Sequence, residues 1–473
     1  MRHQQLPVRA RAVLRAHRWL APTALGVSGL ARLVLSFVTP NGLNLVDLRV
    51  YTYGAATLPH GGLYTFTFSE MTLNFPLPFT YPPFAAVMFF PLHLLPFTAL
   101  AVLWLLATIV AVWGVVRVSL QLLLGARADE PTWRAAALLW AALGVWLEPV
   151  RTTLDYGQVN VFIVLGVLLA ARTRRWWLAG AIVGGLAGVK LTPAVTGLYF
   201  LARRNVAAAV FSAVAFAGTV VLSFALVPAA ARTYFGTLAG DASRIGPVGS
   251  AINQSMRGAL SRFAGHDVGT GPIWLVAVVC AALLCVLAWR GLDHDDRLGT
   301  LIIVQFFGLL VSPISWSHHW VWLIPALLWL MHGPLRETRA AAITAGVWIV
   351  VLLAGVIQLL LLQQPTIWEQ HRPVLASVGG AVYPLGAAVV LLLMAAPRRL
   401  GQSSWLMAVA SSTSLAVTPP SLCVEQTKLT VRQRISMSGW WLRRSATSPT
   451  AATAFSTSRK LASSAVSHSP PSA

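Results

Sequence analysis

Charge is what this chain has least of. Only 10% of its 473 residues are Asp, Glu, Lys or Arg, against about 25% in soluble globular proteins. A soluble domain of this size could not cover its surface with so few, so a soluble enzyme is set aside. Acids are the scarcer sign, with 14 Asp and Glu against 35 Lys and Arg. The net charge of +21 falls on no segment soluble enough to form a domain of its own, which sets nucleic acid aside as a partner. Cysteine is nearly absent: Cys280 and Cys285 lie in an apolar run and Cys423 far downstream. Three thiols so placed make neither a disulfide framework nor a zinc site. The sequence also lacks a Walker loop and a dinucleotide glycine fingerprint. No carboxylate pair has ligand spacing, so neither a metal nor a cofactor is expected.

What fills the chain is apolar. Hydrophobic residues make up 56% of it, the mean hydropathy is +0.69, and 19 tryptophans suit membrane interfaces. The expected fold class is therefore an all-α polytopic membrane protein. Apolar runs long enough for helices fall at about 19–39, 97–117, 133–149, 158–171, 206–228, 272–290, 298–313, 319–333, 340–362 and 375–396. The stretch 176–202 lies between two Arg clusters and is interrupted by Lys190-Leu-Thr-Pro193, which predicts two short helices going out and back. Tyr81 to Pro96 is short and bracketed by proline, and reads as re-entrant or interfacial.

Basic residues mark cytoplasmic connections. Arg127, Arg134, Arg290, Arg297, Arg336, Arg339, Arg398 and Arg399 alternate correctly as inside, and the basic residues 1–18 precede a retained first span. About 12 crossings (10–14) follow, with both termini cytoplasmic and residues 19–400 forming the membrane domain. Residues 401–473 carry one acid and seven bases among many serines. This segment reads as a disordered basic cytoplasmic tail with no chemistry of its own.

The same alternation collects five polar clusters on the outer side: Asp47 to Tyr51, Glu148 to Asn160, Lys190, Asn253 to Ser255, and Ser312 to His319. Asp47 follows the first span, where an apolar boundary raises a carboxyl pKa and makes a general base. A plain pair with Arg49 is the other reading. Arg151 offers a phosphate clamp, or an internal partner for Glu148 or Asp155. Gln158 and Asn160 suit sugar hydroxyls and equally suit interhelical hydrogen bonds. Lys190 either snorkels to the interface or faces an anion in a cavity. His318 and His319, adjacent on a helix, project about 100° apart, a poor arrangement for joint chelation; they fit a phosphate, a sugar or lipid headgroups.

Several strings in this order resemble a known family. They are Asp47-Leu-Arg49-Val-Tyr51, Gly62-Leu-Tyr64, Phe79-Thr-Tyr81-Pro-Pro-Phe84, Glu148-Pro-Val-Arg151, Gly157-Gln158-Val-Asn160, Lys190-Leu-Thr-Pro193, Asn253-Gln-Ser255 and Ser312-Pro-Ile-Ser-Trp316 with His318 and His319. Over roughly residues 30–335 they resemble the actinobacterial polyprenol-phosphate-mannose-dependent α-(1→2)-mannosyltransferases. The resemblance implies a GT-C bundle with its active site on the outer face of the plasma membrane. It further implies transfer of mannose, with inversion, from a polyprenyl-phosphate donor to the 2-hydroxyl of a lipid-linked mannoside.

By that resemblance Asp47 is the catalytic base; their charge and outer-side position put Arg151, Lys190, His318 and His319 at the donor phosphate as preorganised donors. Arg49, Tyr51, Tyr81, Glu148, Asp155, Gln158, Asn160, Asn253 and Trp316 are placed at the sugars and acceptor. The expected partners are these two lipid-linked substrates and membrane lipids. Between Trp316 and the His pair the family pattern has an acid where this chain has Ser317, which leaves Asp47 without an auxiliary acid. The rival reading is a transporter or flippase for a lipid-linked sugar or anion, which the broken segment at Lys190 would suit. A transporter needs access from both sides, and the outer clusters have no counterpart on the inner connections.

Overall fold

The computed structural model describes residues 18–38, 43–72, 75–363 and 373–396. The basic start before Arg18, Glu369 and the 401–473 tail lie outside the described residues. Within them the chain is mostly helix, because runs of Leu, Val and Ala with few polar groups satisfy their backbone internally only in that form. The sheet content among the described residues is a two-stranded antiparallel ribbon, Thr67–Phe68 against Leu77–Pro78. It lies in the connection after the first helix.

Among the described residues, five helices are long and apolar enough to cross a membrane: Leu20–Val38, Phe97–Asp129, Val206–Leu226, Pro272–Gly291 and Arg339–Leu362. A sixth arises if Val374–Gly380 and Val382–Ala395, bent by 56°, are taken as one span. The expected count of about twelve included shorter helices as crossings, among them Asn160–Arg172, Trp176–Val189 and Arg297–Val311. The stretch 176–202 breaks as its sequence predicts, into Trp176–Val189, a 3-10 turn Thr192–Val195 and Thr196–Ala202, with Lys190 extended at the break. Tyr81 to Pro96 forms only the short helix Pro83–Phe89 and a 3-10 turn. Asp296 caps Arg297–Val311 through the Gly299 N–H and accepts from Trp329 Nε1 at 2.7 Å.

Phe97–Leu124 runs through the core and packs on Pro131–Gly144, Asn160–Arg172 and Leu323–His332. The contact is close-fitting and apolar, with Val112, Val115, Val116, Leu120, Val167, Leu168 and Leu328 fully buried. Where lipid is as apolar as the core, such packing stabilises through dispersion rather than release of water. The tightest pairing is Trp176–Val189 against Val206–Leu226. Gly180, Gly184 and Gly188, four residues apart, share one helical face. That face meets Ala208, Ser212 and Thr219 so closely that a Cβ on Gly180 would lie 2.9 Å from the Ala208 carbonyl oxygen.

Candidate active site

The chain emerges from the first helix and turns at Leu45, whose φ of 41° is left-handed. Leu45 donates its N–H to the Asp155 carbonyl at 2.9 Å, so the turn is fastened to the end of the helix Glu148–Tyr156. Gly157 makes that approach possible. It sits at φ +70°, and a Cβ there would lie 2.7 Å from Leu48 Cβ. The helix Val46–Arg49 then carries Asp47, and the backbone continues into a π-helical turn, Val50–Gly54. Such turns are frequent at functional sites because they re-aim side chains.

Asp47 lines a cavity of about 560 Å³ together with Tyr81, Gln158, Lys190, Trp316, His318 and His319. Burial pushes the Asp47 carboxyl up to about 6, against the opposing pull of the Gln158 amide and the Lys190 ammonium. Lys190 faces the same cavity, and its ammonium favours the charged form of Asp47 without outweighing the burial.

Lys190 is held by two neighbours. Its Nζ donates to Asn160 Oδ1 at 2.8 Å and lies 3.0 Å from His319 Nε2. An ammonium only donates, which gives Nε2 the accepting role. Asn160 in turn donates Nδ2 to the His318 carbonyl at 3.0 Å. The Lys190 ammonium also stands 5.4 Å from the Tyr81 ring centroid. Tyr51 donates to Gln158 Oε1 and meets the Tyr81 hydroxyl, both at 2.9 Å, while its ring stacks on Phe89. Tyr51 and Asn160 thus shape the cavity from behind. His318 is buried with neither ring nitrogen bonded, and Ser317 Oγ is buried without a partner.

Other candidate residues are placed elsewhere. Arg151, expected at the donor phosphate, donates Nη2 to Gln358 Oε1 at 2.7 Å and abuts Gly355 on the neighbouring helix pair. Asp155 pairs with Arg32 of the first helix. Glu148 is fully buried beside Tyr383 and Arg151. Arg49 packs its guanidinium 4.0 Å from the Phe97 ring and donates to the Asn44 carbonyl, rather than pairing with Asp47.

Asn253 is wholly buried. It donates to the Val248 and Pro313 carbonyls and accepts from the Ser255 and Ser315 N–H groups. It fastens the loop bearing Trp316, with which it forms a backbone bridge. None of these five lines the cavity. Sequence reasoning missed Arg244, Tyr156 and Tyr234, which do line it. Arg244 had one signal, a lone base in a loop otherwise poor in charge. Tyr156 lies inside the Glu148–Asn160 cluster, and Tyr234 had no signal. Among the described residues no three His, Cys, Asp or Glu side chains group as a metal site.

Comparison with known proteins identifies the family. The glycosyltransferase family 87 profile matches residues 79–313. The chain is 52% identical over 382 residues to a polyprenol-phosphate-mannose-dependent alpha-(1-2)-phosphatidylinositol pentamannoside mannosyltransferase of Mycolicibacterium smegmatis, covering 80% of this chain and 92% of the relative. It is 50% identical over 370 residues to the protein of the same description from Mycobacterium tuberculosis, covering 78% and 85%. A phosphatidylinositol mannoside mannosyltransferase of M. smegmatis is 33% identical over 350 residues, covering 67% and 76%. No solved structure matches the chain. Homology over nearly the whole length of these relatives, joined to a carboxylate and an ammonium facing one cavity, makes the chain a membrane glycosyltransferase belonging to glycosyltransferase family 87.

Proposed function

We propose that the chain transfers mannose from a polyprenyl-phosphate donor to the 2-hydroxyl of a phosphatidylinositol mannoside. Transfer takes place at the outer face of the plasma membrane with inversion at the anomeric carbon. The observation that carries this reading is that Asp47, Gln158, Lys190 and His319 line one cavity, with the Asp47 carboxyl raised toward neutrality by burial. The descriptions of the relatives supply the donor, the linkage and the acceptor class.

In the proposed reaction the Asp47 carboxylate accepts the proton of the acceptor's 2-hydroxyl as that oxygen bonds to the anomeric carbon. The bond from that carbon to the phosphate oxygen breaks, and its electron pair leaves with the polyprenyl phosphate. General-base assistance of this kind contributes about 10²–10⁴-fold. Charge grows on the departing phosphate, where Lys190 and His319 act as preorganised donors. Gln158, Tyr81 and Trp316 hold the sugars beside Asp47. Arg151 takes no part, since its guanidinium is committed to Gln358.

The alternation of basic connections supports about twelve crossings, cytoplasmic termini and an outer-side cavity. The test is transfer of radiolabel from polyprenyl-phosphate mannose to phosphatidylinositol mannosides in membranes expressing wild type or Asp47→Asn at matched levels. Label moved by wild type and lost in Asp47→Asn supports the reading. Equal transfer by both removes Asp47 as the base.

A further inference from the structure

A transferase working between two lipid-linked substrates handles two phosphodiesters. One is at the reacting carbon of the donor, and the other joins the acceptor's headgroup to its diacylglycerol. Among the described residues the cavity is lined by two Lys or Arg side chains, Lys190 and Arg244. They are not neighbours. A wall of aromatic rings runs between them. Lys190 stands over Tyr81; the Tyr81 and Phe79 centroids are 5.8 Å apart, and those of Phe79 and Tyr64 are 6.3 Å apart. Arg244 Cζ lies 5.7 Å from the Tyr64 ring. The wall is stiffened by Tyr64 Oη donating to the Tyr81 carbonyl at 2.9 Å and by Tyr234 stacking on Tyr64.

The two cations differ in how far they are satisfied. Lys190 is bonded to Asn160 and His319. Arg244 forms no ion pair among the described residues. Its one hydrogen bond there, to the Phe79 carbonyl, is long at 3.4 Å. The nearest acid in sequence, Asp241, turns its carboxylate onto the Ser243 N–H and hydroxyl at 2.9 and 2.5 Å. A guanidinium has five donors in a planar fork that matches two phosphate oxygens. Here the rings hold that fork at the cavity wall with most of its donors uncommitted.

We infer that Arg244 is a second anion site, which binds the phosphodiester of a lipid-linked substrate at the opposite end of the aromatic wall from Lys190. The inference rests on the proposed transferase reading and deepens it. It also explains why the phosphate role expected of Arg151 can be filled although Arg151 faces away.

The experiment uses the purified full-length chain in lipid nanodiscs. Steady-state kinetics are measured separately against polyprenyl-phosphate mannose and a phosphatidylinositol mannoside. Arg244→Gln raises KM for one of the two by roughly 10–100-fold, the range for a lost charge-assisted hydrogen bond. The other KM and the thermal midpoint stay unchanged. Arg244→Lys restores part of the loss, because charge returns without the fork. A change confined to the acceptor assigns Arg244 to the acceptor phosphodiester, and a change confined to the donor assigns it to the polyprenyl phosphate. Both KM values within twofold of wild type overturn the inference. If Arg244→Gln does not fold, Arg244→Met with a wild-type thermal midpoint decides by the same criterion. If the wild-type chain transfers no mannose, the functional reading fails, and titration with polyprenyl phosphate and with phosphatidylinositol, of wild type and of whichever of these two variants folds, still decides the site. Equal binding of each lipid by the two proteins overturns it.

Discussion

Lys190 and Asn160, thirty residues apart in sequence, are joined by a 2.8 Å hydrogen bond from Nζ to Oδ1. The bond ties the end of one short helix to the start of another. Asn160 also reaches the His318 carbonyl, so three segments meet at one amide. The ammonium beside Asp47 is thereby positioned by groups that carry no charge of their own.

Replacing Asp47 separates catalysis from stability. Its carboxyl pKa is raised to about 6 in the folded chain, so the folded state binds its proton more tightly than the unfolded chain does. Stability from this group is therefore present below the unfolded pKa near 4 and is lost as pH rises through about 6. Asp47→Asn, which carries no charge to desolvate, is expected to abolish transfer and to stabilise the protein by about 2–3 kcal/mol at neutral pH. Thermal midpoints measured at pH 5 and pH 7.5 check this, because the gain should shrink at the lower pH.

Activity should fall on the acid side of neutrality. On the proposed reading, protonation of Asp47 at about 6 removes the base. The profile of kcat/KM is expected to drop about tenfold per pH unit below that value. Lys190→Arg, which keeps a cation at the cavity, should keep this acid limb.

Gly157→Ala tests the docking that places Asp47. The left-handed backbone costs an L-residue about 1–2 kcal/mol, and the new methyl would meet Leu48 at 2.7 Å. The turn bearing Asp47 must then shift, and kcat is expected to fall at least tenfold. Gly346→Ala is the matching control, since a Cβ there meets nothing within 4 Å.

Asp155→Asn is expected to lower stability without changing substrate affinity. It leaves Arg32, at 6% side-chain exposure, as a buried cation without its carboxylate. Breaking such pairs typically costs about 3–5 kcal/mol. In the folded fraction, KM for the polyprenyl-phosphate donor should stay within twofold. A large rise in donor KM would return Asp155 to the site.

The helices were legible because apolar runs between Arg clusters leave the chain few alternatives. Lys190-Leu-Thr-Pro193 announced its own break, and Asp47, Lys190, Gln158 and His319 meet at one cavity as their clusters implied. Which way a polar side chain turns was not legible. Arg151 and Asp155 sit in the same motif as Gln158 yet face Gln358 and Arg32, partners 207 and 123 residues away. Asn253 carries the groups of a sugar ligand and satisfies all of them on backbone. Arg244 lies in a loop without periodicity or motif, and only the folded chain sets it against Tyr64.

The glycine-faced helix also fixes a depth. Trp176–Val189 has 14 residues, about 21 Å at 1.5 Å per residue, whereas the hydrocarbon layer is about 30 Å thick. With its Arg174–Arg175 end at the cytoplasmic edge, as in the proposed topology, Lys190 stands well short of the far headgroups. Gly180 and Gly184 lie against the Ala208 and Ser212 backbone and Gly188 against the Thr219 side chain, which leaves the helix little room to slide. On the proposed reading, a polyprenyl phosphate then reaches Lys190 with its isoprenoid tail still in lipid, and the acceptor's mannose descends below the membrane surface to meet it.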